Sequence, residues 1–463
     1  MSQHMTPEEF RRNGYAVVDW VANYLETVES YPVMAQVEPG EISAMLPSSA
    51  PEAGEDFSAL LEDLDRVVLP GVTHWQSPNW FAYFPANASP PSMLAELASA
   101  GLAQQGMLWS TSPAATEIES KVLDWLVELM GLPDGWKSDG PGGGVIHMSA
   151  SDATHTALVV ARHARRNEAE AASMVVYVSN QAHSSIEKGA SVANIGHCRL
   201  VPVDREFAMD VDAFRSMVQQ DIDAGLLPIA VVTAIGTTAT TAVDDTKAVG
   251  ELTREFGLWH HVDAAYAGTA MICEEFRVHQ PALHLADSYT FNPHKWMMVN
   301  FDCNVMWVAD RTQLIDAMSI LPPYLRNEAT ASGDVIDYRD WHVPLGRRFR
   351  ALKLWWVIRS YGAAGLRSAI RAHVELAEWL AQQVLADDRF DLFAPHPFGL
   401  VCFTHRDGND ATRRLATALN ESGKVAVTPS TIDGTDFMRV SIGQSYTERR
   451  HAEALWALID NLG

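Results

Sequence analysis

Apolar residues along this chain follow two rhythms. Phe10, Val17, Val18, Val21, Tyr24, Leu25 and Val28 recur at helical spacing behind Thr6-Pro7-Glu8-Glu9. That tetrapeptide combines an N-cap, a proline at the first helical position and a capping-box glutamate, so the chain is predicted to open with an amphipathic helix. Residues 31–56 are rich in Pro, Ser and Gly and read as a crossing segment leading to a second helix over Asp56–Leu69. From about residue 90 to 310 the rhythm changes. Short apolar runs at Met174–Val178, Ile229–Ile235, Leu258–Val262, Ala286–Phe291 and Cys303–Val308 alternate with helical patterns, which predicts a mainly parallel sheet flanked by helices. A long helix near Arg347–Tyr361 then leads to a helix at Leu366–Leu385 and strands near Leu400–Thr404 and Met438–Ile442. The expected class is α/β, with a helical N-terminal arm over residues 1–89, a large domain over 90–360 and a small α+β domain over 361–463. No repeat of ~20–50 residues and no low-complexity tract breaks this order.

Composition narrows the partners. The 463 residues are 47% hydrophobic and 20% charged, which suits a globular protein of more than one domain. Lys and Arg total 34 against 58 Asp and Glu, a formal charge of −24 that argues against a nucleic-acid backbone or an anionic membrane as partner. Cys198, Cys273, Cys303 and Cys402 are scattered, so neither a disulfide framework nor a metal site is expected. There is no basic segment followed by an apolar run at the N-terminus, and no stretch approaches ~18 uninterrupted apolar residues. A cytoplasmic location is the resulting expectation.

The candidate chemistry lies where predicted strands end. Asn292-Pro293-His294-Lys295-Trp296 puts a lysine just past the run Ala286–Phe291, and ligands of open α/β sheets bind at such strand ends. A lysine held in an apolar site has its pKa lowered, which frees the amine for Schiff-base chemistry. Asp263 ends the run before Ala264-Ala265-Tyr266, and a buried carboxylate there needs a cationic partner. His183, in Gln181-Ala182-His183-Ser184-Ser185, sits past Met174–Val178, where an imidazole can stack on a flat ring. Gly142-Gly143-Gly144 and Ser149-Ala150-Ser151-Asp152 open a helical run, an anion site by virtue of backbone N–H groups and the helix dipole. Thr238, in Gly236-Thr237-Thr238, adds a hydroxyl at a fourth strand end. Taken singly, each feature has an ordinary structural explanation. Together, an aldehyde-reactive lysine, a pyridinium partner, a stacking imidazole and an anion cup are what pyridoxal 5′-phosphate requires.

With these residues in view the chain resembles the group II pyridoxal-phosphate-dependent decarboxylases, and within them the aromatic-L-amino-acid decarboxylases. The likeness includes Pro70-Gly71-Val72-Thr73-His74-Trp75, Phe81-Ala82-Tyr83-Phe84-Pro85 and Pro344-Leu345-Gly346-Arg347-Arg348-Phe349-Arg350, besides the motifs above. The resemblance implies the fold of PLP-dependent transferases, fold type I, and a homodimer with the active site at the subunit interface. It implies that Lys295 carries the cofactor, Asp263 keeps the pyridine nitrogen protonated and His183 stacks on the ring. Ala150, Ser151, Asn292 and His294 would hold the phosphate region, Thr238 would lie under the ring and Asp244 would assist near the nitrogen. Tyr324, in Leu321-Pro322-Pro323-Tyr324-Leu325-Arg326, matches the family's mobile-loop proton donor, with residues 322–340 as a closing lid. The substrate pocket would come from Trp75, Tyr83, Phe84 and Pro85, with Gln105, Met107 and Gly346 near it, Gln105 and Met107 from the second subunit. The implied reaction is decarboxylation of tryptophan, tyrosine, DOPA or phenylalanine to the arylalkylamine. Among relatives, aldehyde synthases on the same scaffold usually lack either the loop tyrosine or the histidine, and this chain has both. Arg439 is a further candidate, for a carboxylate or a structural ion pair.

Overall fold

The computed structural model describes residues 4–320 and 335–463. Helix α1 (Pro7–Thr27) starts on the capping box expected from the sequence, with Glu9 N–H donating to Thr6 Oγ1 and Thr6 N–H to Glu9 Oε2. None of its residues is buried, and Phe10, Tyr15 and Val18 stand exposed. Helix α2 (Glu41–Met45) precedes α3 (Phe57–Asp63). The single helix expected over Asp56–Leu69 is α3 followed by a π-helical turn, Leu64–Val68, and a 3-10 turn, Leu69–Gly71, because Pro70 has no N–H with which to continue a helix. Helices α4 (Pro90–Leu102) and α5 (Pro113–Met130), each with proline in its first turn, lead into the large sheet.

That sheet is built by strands and helices in alternation: β1 (Gly143–His147), α6 (Ala150–Ala164), β2 (Met174–Ser179), α7 (Ser185–Val192), β3 (His197–Val201), α8 (Val211–Asp223), β4 (Leu227–Ala234), α9 (Thr246–Phe256), β5 (Trp259–Asp263), β6 (Ser288–Phe291), the one-turn α10 (Pro293–Trp296), β7 (Asn304–Val308) and α11 (Arg311–Met318). In space the order is β1-β7-β6-β5-β4-β2-β3. Strands β2 to β6 pair in parallel, and β7 runs antiparallel to β6 and β1. The reversal is set by the connection: parallel neighbours need a long crossover, whereas only α10 and a short loop join β6 to β7. Between β5 and β6 the crossover consists of 3-10 turns. Every residue of β2 and β5 is buried, as expected for strands covered on both faces. The glycines before Val145 form no loose loop. A Cβ on Gly142 would stand 2.2 Å from Val308 O, and one on Gly144 2.7 Å from Trp307 Nε1, so they allow the backbone of β1 to lie against β7.

The two helices expected near 347–361 and 366–385 are present and run on from one another as α12 (Arg350–Ala386), broken at Gly362, whose φ of +64° is not helical. It runs past α4 and α5 and onto the second sheet. That sheet comprises β8 (Phe390–Leu392), β9 (Leu400–His405), β10 (Thr428–Ile432) and β11 (Thr435–Ser441), antiparallel in the order β10-β11-β9-β8, with α13 (Asn409–Glu421) and α14 (Arg449–Leu462) against it. The N-terminal segment is stitched to this unit: Phe81 N–H donates to Ala426 O at 2.9 Å and Ser441 N–H to Phe81 O at 2.9 Å. The stitch carries Phe84 to the rim of the large sheet.

Candidate active site

The carboxyl ends of β2, β4, β5 and β6 and the N-terminus of α6 meet at one cavity. Asp263 is the last residue of β5, Ala234 the last of β4, and Asn292, His294 and Lys295 come directly after β6. His183 and Ser185 come from the link between β2 and α7, Ser149, Ala150 and Ser151 from the start of α6, and Thr238 from the loop after β4. Phe84 closes the cavity from the N-terminal segment. The predicted lysine, aspartate, histidine and anion cup therefore share one site.

Lys295 points its ammonium at an aromatic wall, with Nζ 5.4 Å from the Phe84 ring centroid. Burial pushes its pKa below the usual lysine range, Asp263 opposes that, and the Arg439 guanidinium adds to it. The Phe84 ring in turn stacks on Tyr266 at 4.0 Å and Tyr266 on Trp296 at 4.8 Å. Asp263 is 8% exposed; its Oδ1 accepts the Ala265 N–H at 2.9 Å, and its Oδ2 has no hydrogen-bond partner among the described residues. Such an oxygen, unpartnered at the wall of a cavity, suits a cationic donor.

The anion cup is equally specific. At the start of α6 the amides of Ala150 and Ser151 belong to the unpaired first turn of a helix, while Ser149 Oγ caps it by accepting Asp152 N–H at 3.2 Å. His294 Nδ1 accepts the Cys303 N–H at 2.9 Å, and burial lowers its pKa to about 3, so the neutral ring carries its proton on Nε2. Asn292 Oδ1 accepts from Asn304 Nδ2 at 2.8 Å, leaving its own amide hydrogens to donate. Each of these side chains is held by its second partner so that it offers hydrogens.

Other expected residues lie elsewhere. Asp244 does not line the cavity: it is fully buried behind β4, where Oδ2 accepts Ala234 N–H and Oδ1 accepts Met209 N–H, both at 2.7 Å, and burial pushes its pKa up to about 6. It braces the end of β4, from which the loop carrying Thr238 departs. Of the substrate-pocket residues only Phe84 lines the cavity. Trp75 and Tyr83 pack on the buried Trp80, with ring centroids 4.2 and 6.2 Å from it, and Pro85 packs near Gly443. Gln105 Oε1 accepts Arg347 N–H at 2.8 Å, the Gly346 Cα faces Gln105 Nε2, and Met107 O accepts from Arg339 N–H. Tyr324 falls outside the described residues. Arg439 makes no carboxylate contact among the described residues; it donates to Ala239 O at 2.9 Å and Thr238 O at 2.8 Å, with its guanidinium 5.3 Å from the Phe84 ring. Sequence reasoning misses Ser185 and Tyr266, although the serine's place two residues after His183 in a helix-opening motif is a usable signal.

Residues 39–406 match the pyridoxal-dependent decarboxylase conserved domain. The chain belongs to the pyridoxal-dependent decarboxylases. Phenylacetaldehyde synthase of Arabidopsis thaliana is 42% identical over 98% of this chain and 96% of its own length. The aromatic-L-amino-acid decarboxylase of Cavia porcellus is 42% identical over 99% and 98%. The crystal structure of Oryza sativa TDC with PLP and tryptamine aligns with a TM-score of 0.98 at 37% identity, covering 100% of this chain and 99% of that one. The residues present fit the cofactor of this decarboxylase family: Lys295 offers an amine for its aldehyde, the unpaired Asp263 Oδ2 a partner for its ring nitrogen, and the α6 amides, Asn292 and His294 donors for its phosphate.

Proposed function

We propose that this pyridoxal-dependent decarboxylase converts aromatic L-amino acids (tryptophan, tyrosine, DOPA or phenylalanine) to the corresponding arylalkylamine and CO₂. The observation that carries the reading is Lys295 buried against Phe84 in the cavity that Asp263 also lines. Bound there, pyridoxal phosphate supplies an electron sink for the pair left on Cα when CO₂ departs. The protein's part is positional and electrostatic. Desolvation keeps the Lys295 amine available to react, Asp263 would hold a proton on the cofactor's ring nitrogen, His183 would cover its ring, and the α6 amides with Asn292 and His294 would hold its phosphate. Phe84 offers an apolar face to an aromatic side chain. Tyr324 is the residue assigned to return a proton to Cα, on the strength of its motif.

The same reading includes a homodimer with the site between subunits, supported by the exposed Phe10, Tyr15 and Val18 of α1 and by Gln105, Met107 and Gly346 lying outside the cavity of their own chain. Three units are proposed, an arm (1–89), a large domain (90–360) and a small domain (361–463), in a cytoplasmic protein whose four cysteines are free.

The test is a panel of amino acids incubated with the holoenzyme, reading CO₂, amine, aldehyde, ammonia and peroxide. Aromatic amine with stoichiometric CO₂ is expected; release only from acidic amino acids would overturn the assignment. The second reading, oxidative formation of an aryl aldehyde, is favoured by the 42% identity to phenylacetaldehyde synthase. His183 in the cavity and Tyr324 in the sequence weigh against it, and aldehyde, ammonia and peroxide in place of amine would establish it.

A further inference from the structure

His183 is gripped from one side. Its Nδ1 accepts the backbone N–H of Ser185 at 3.1 Å and lies 2.8 Å from Ser185 Oγ. A ring nitrogen that accepts an N–H has its lone pair directed at that hydrogen and carries no proton of its own. The hydroxyl contact must then run the same way, with Oγ–H donating to Nδ1. Ser185 is the first residue of α7, so its amide belongs to the unpaired first turn, and the positive end of that helix disfavours an imidazolium beside it. Nε2, in contrast, makes no hydrogen bond among the described residues, and the ring borders the cavity that holds Lys295 and Asp263.

We propose that Ser185 is a positioning residue that fixes His183 as the neutral tautomer protonated on Nε2, making that nitrogen a hydrogen-bond donor to an oxygen of the bound amino acid and closing Nδ1 to protons. The tautomer is dictated by the protein's own contacts; its use in decarboxylation rests on the function proposed above. Charged and titratable neighbours face the ring from each packed element. Asp263 on β5 favours the charged ring and Lys295 on α10 disfavours it, while Asp152 and His155 on α6 and Lys188 on α7 border the adjoining groove. Burial is the largest influence and lowers the His183 pKa. Nothing among these groups competes for Nδ1 with the two Ser185 donors.

Neutron diffraction from holoenzyme crystals in D₂O at neutral pH reads the tautomer without reference to turnover. Deuterium on Nε2 and none on Nδ1 is the expected map; deuterium on Nδ1 overturns the proposal, even in an enzyme that makes amine normally. A second measurement tracks kcat against pH in the wild-type enzyme, Ser185→Ala and Ser185→Thr. Loss of one donor to the neutral ring should move the acid limb upward by roughly 0.5–1 pH unit in the alanine variant, and threonine should restore it. A limb that stays in place while S185A only loses overall rate would reduce Ser185 to a packing role. Should S185A fail to fold, the neutron map alone decides. An enzyme inactive on every aromatic amino acid, yet showing the expected map, would sink the function and leave the tautomer standing.

Discussion

The perturbation that best separates structural from chemical roles here is Glu119→Ala. Glu119 sits on α5 and Arg347 in the segment before α12, with side chains only 3% and 4% exposed. Glu119 Oε1 accepts from Arg347 Nη2 and also from Ile146 N–H at 2.8 Å, while Arg347 Nη2 donates to Ile146 O at 3.1 Å. The guanidinium lies 4.5 Å from the Tyr338 ring centroid. The pair thus clips the end of β1 immediately before the α6 anion cup. Removing the carboxylate leaves a buried guanidinium without an anion and the Ile146 N–H without an acceptor. Stripping one partner from a buried pair costs about 3–5 kcal/mol, whereas Glu119→Gln keeps the acceptor oxygen and should lose about half of that. In Glu119→Ala/Arg347→Met both charges are gone, so only unpaired backbone groups remain, at about 1–3 kcal/mol.

Urea unfolding monitored by tryptophan fluorescence on the four proteins gives the comparison directly. The expected ranking of stability is wild type, double variant, Glu119→Ala, and the holo form of Glu119→Ala should also release its cofactor more readily, because the cup after β1 is no longer held. A double variant less stable than Glu119→Ala would refute the reasoning, since it would mean that the orphaned charge is not what costs the energy.

Lys295→Ala is expected to bind pyridoxal phosphate noncovalently, to lose the borohydride-reducible visible absorbance of a lysine Schiff base and to lack turnover; wild-type rates in that variant would contradict the role of Lys295. Asp244, with its carboxyl raised to about 6 against 3.8 in an unfolded chain, binds a proton more tightly in the native state. Its contribution to stability is therefore full below about pH 4 and falls by roughly 3 kcal/mol as pH rises through 6; Asp244→Asn should flatten that part of the stability profile, and urea midpoints at acid and neutral pH check it. Tyr324→Phe should retain cofactor and CO₂ release but divert or stall the protonation of Cα, and unchanged amine output would refute its assignment as proton donor.

Legibility in the sequence depends on where side chains are aimed. Lys295, Asp263 and His183 are legible because each sits just past an apolar run, and strands of a parallel sheet deliver the residues after them to one rim. Strand β1 escapes notice because it begins with two glycines, and β3 because His197, Cys198 and Arg199 look unlike a buried strand; β3 is in fact an edge, half-open to solvent. Which of the expected pocket residues face the cavity of their own chain has a simpler reason. Tyr83, Phe84 and Pro85 are consecutive, and neighbours in a non-helical segment do not all face one way, so a motif of five residues sends only Phe84 into the cavity. Asp244 is near Thr238 in sequence, but its carboxylate turns back to the β4 backbone, where two amides claim its two oxygens.

Charge makes the same distinction at a larger scale. A formal charge of −24 describes the surface, and it bears on polyanionic partners for that reason. The site reverses the sign locally: the Arg439 guanidinium lies 5.3 Å from the Phe84 ring, and the amide end of α6 opens at the same cavity. A phosphate ester and an amino-acid carboxylate are both anions, and backbone amides can receive them without contributing to the count of basic residues. An acidic protein can therefore hold an anionic cofactor and an anionic substrate together, because the selecting potential comes from a helix end and the buried Arg439 guanidinium and owes nothing to net composition.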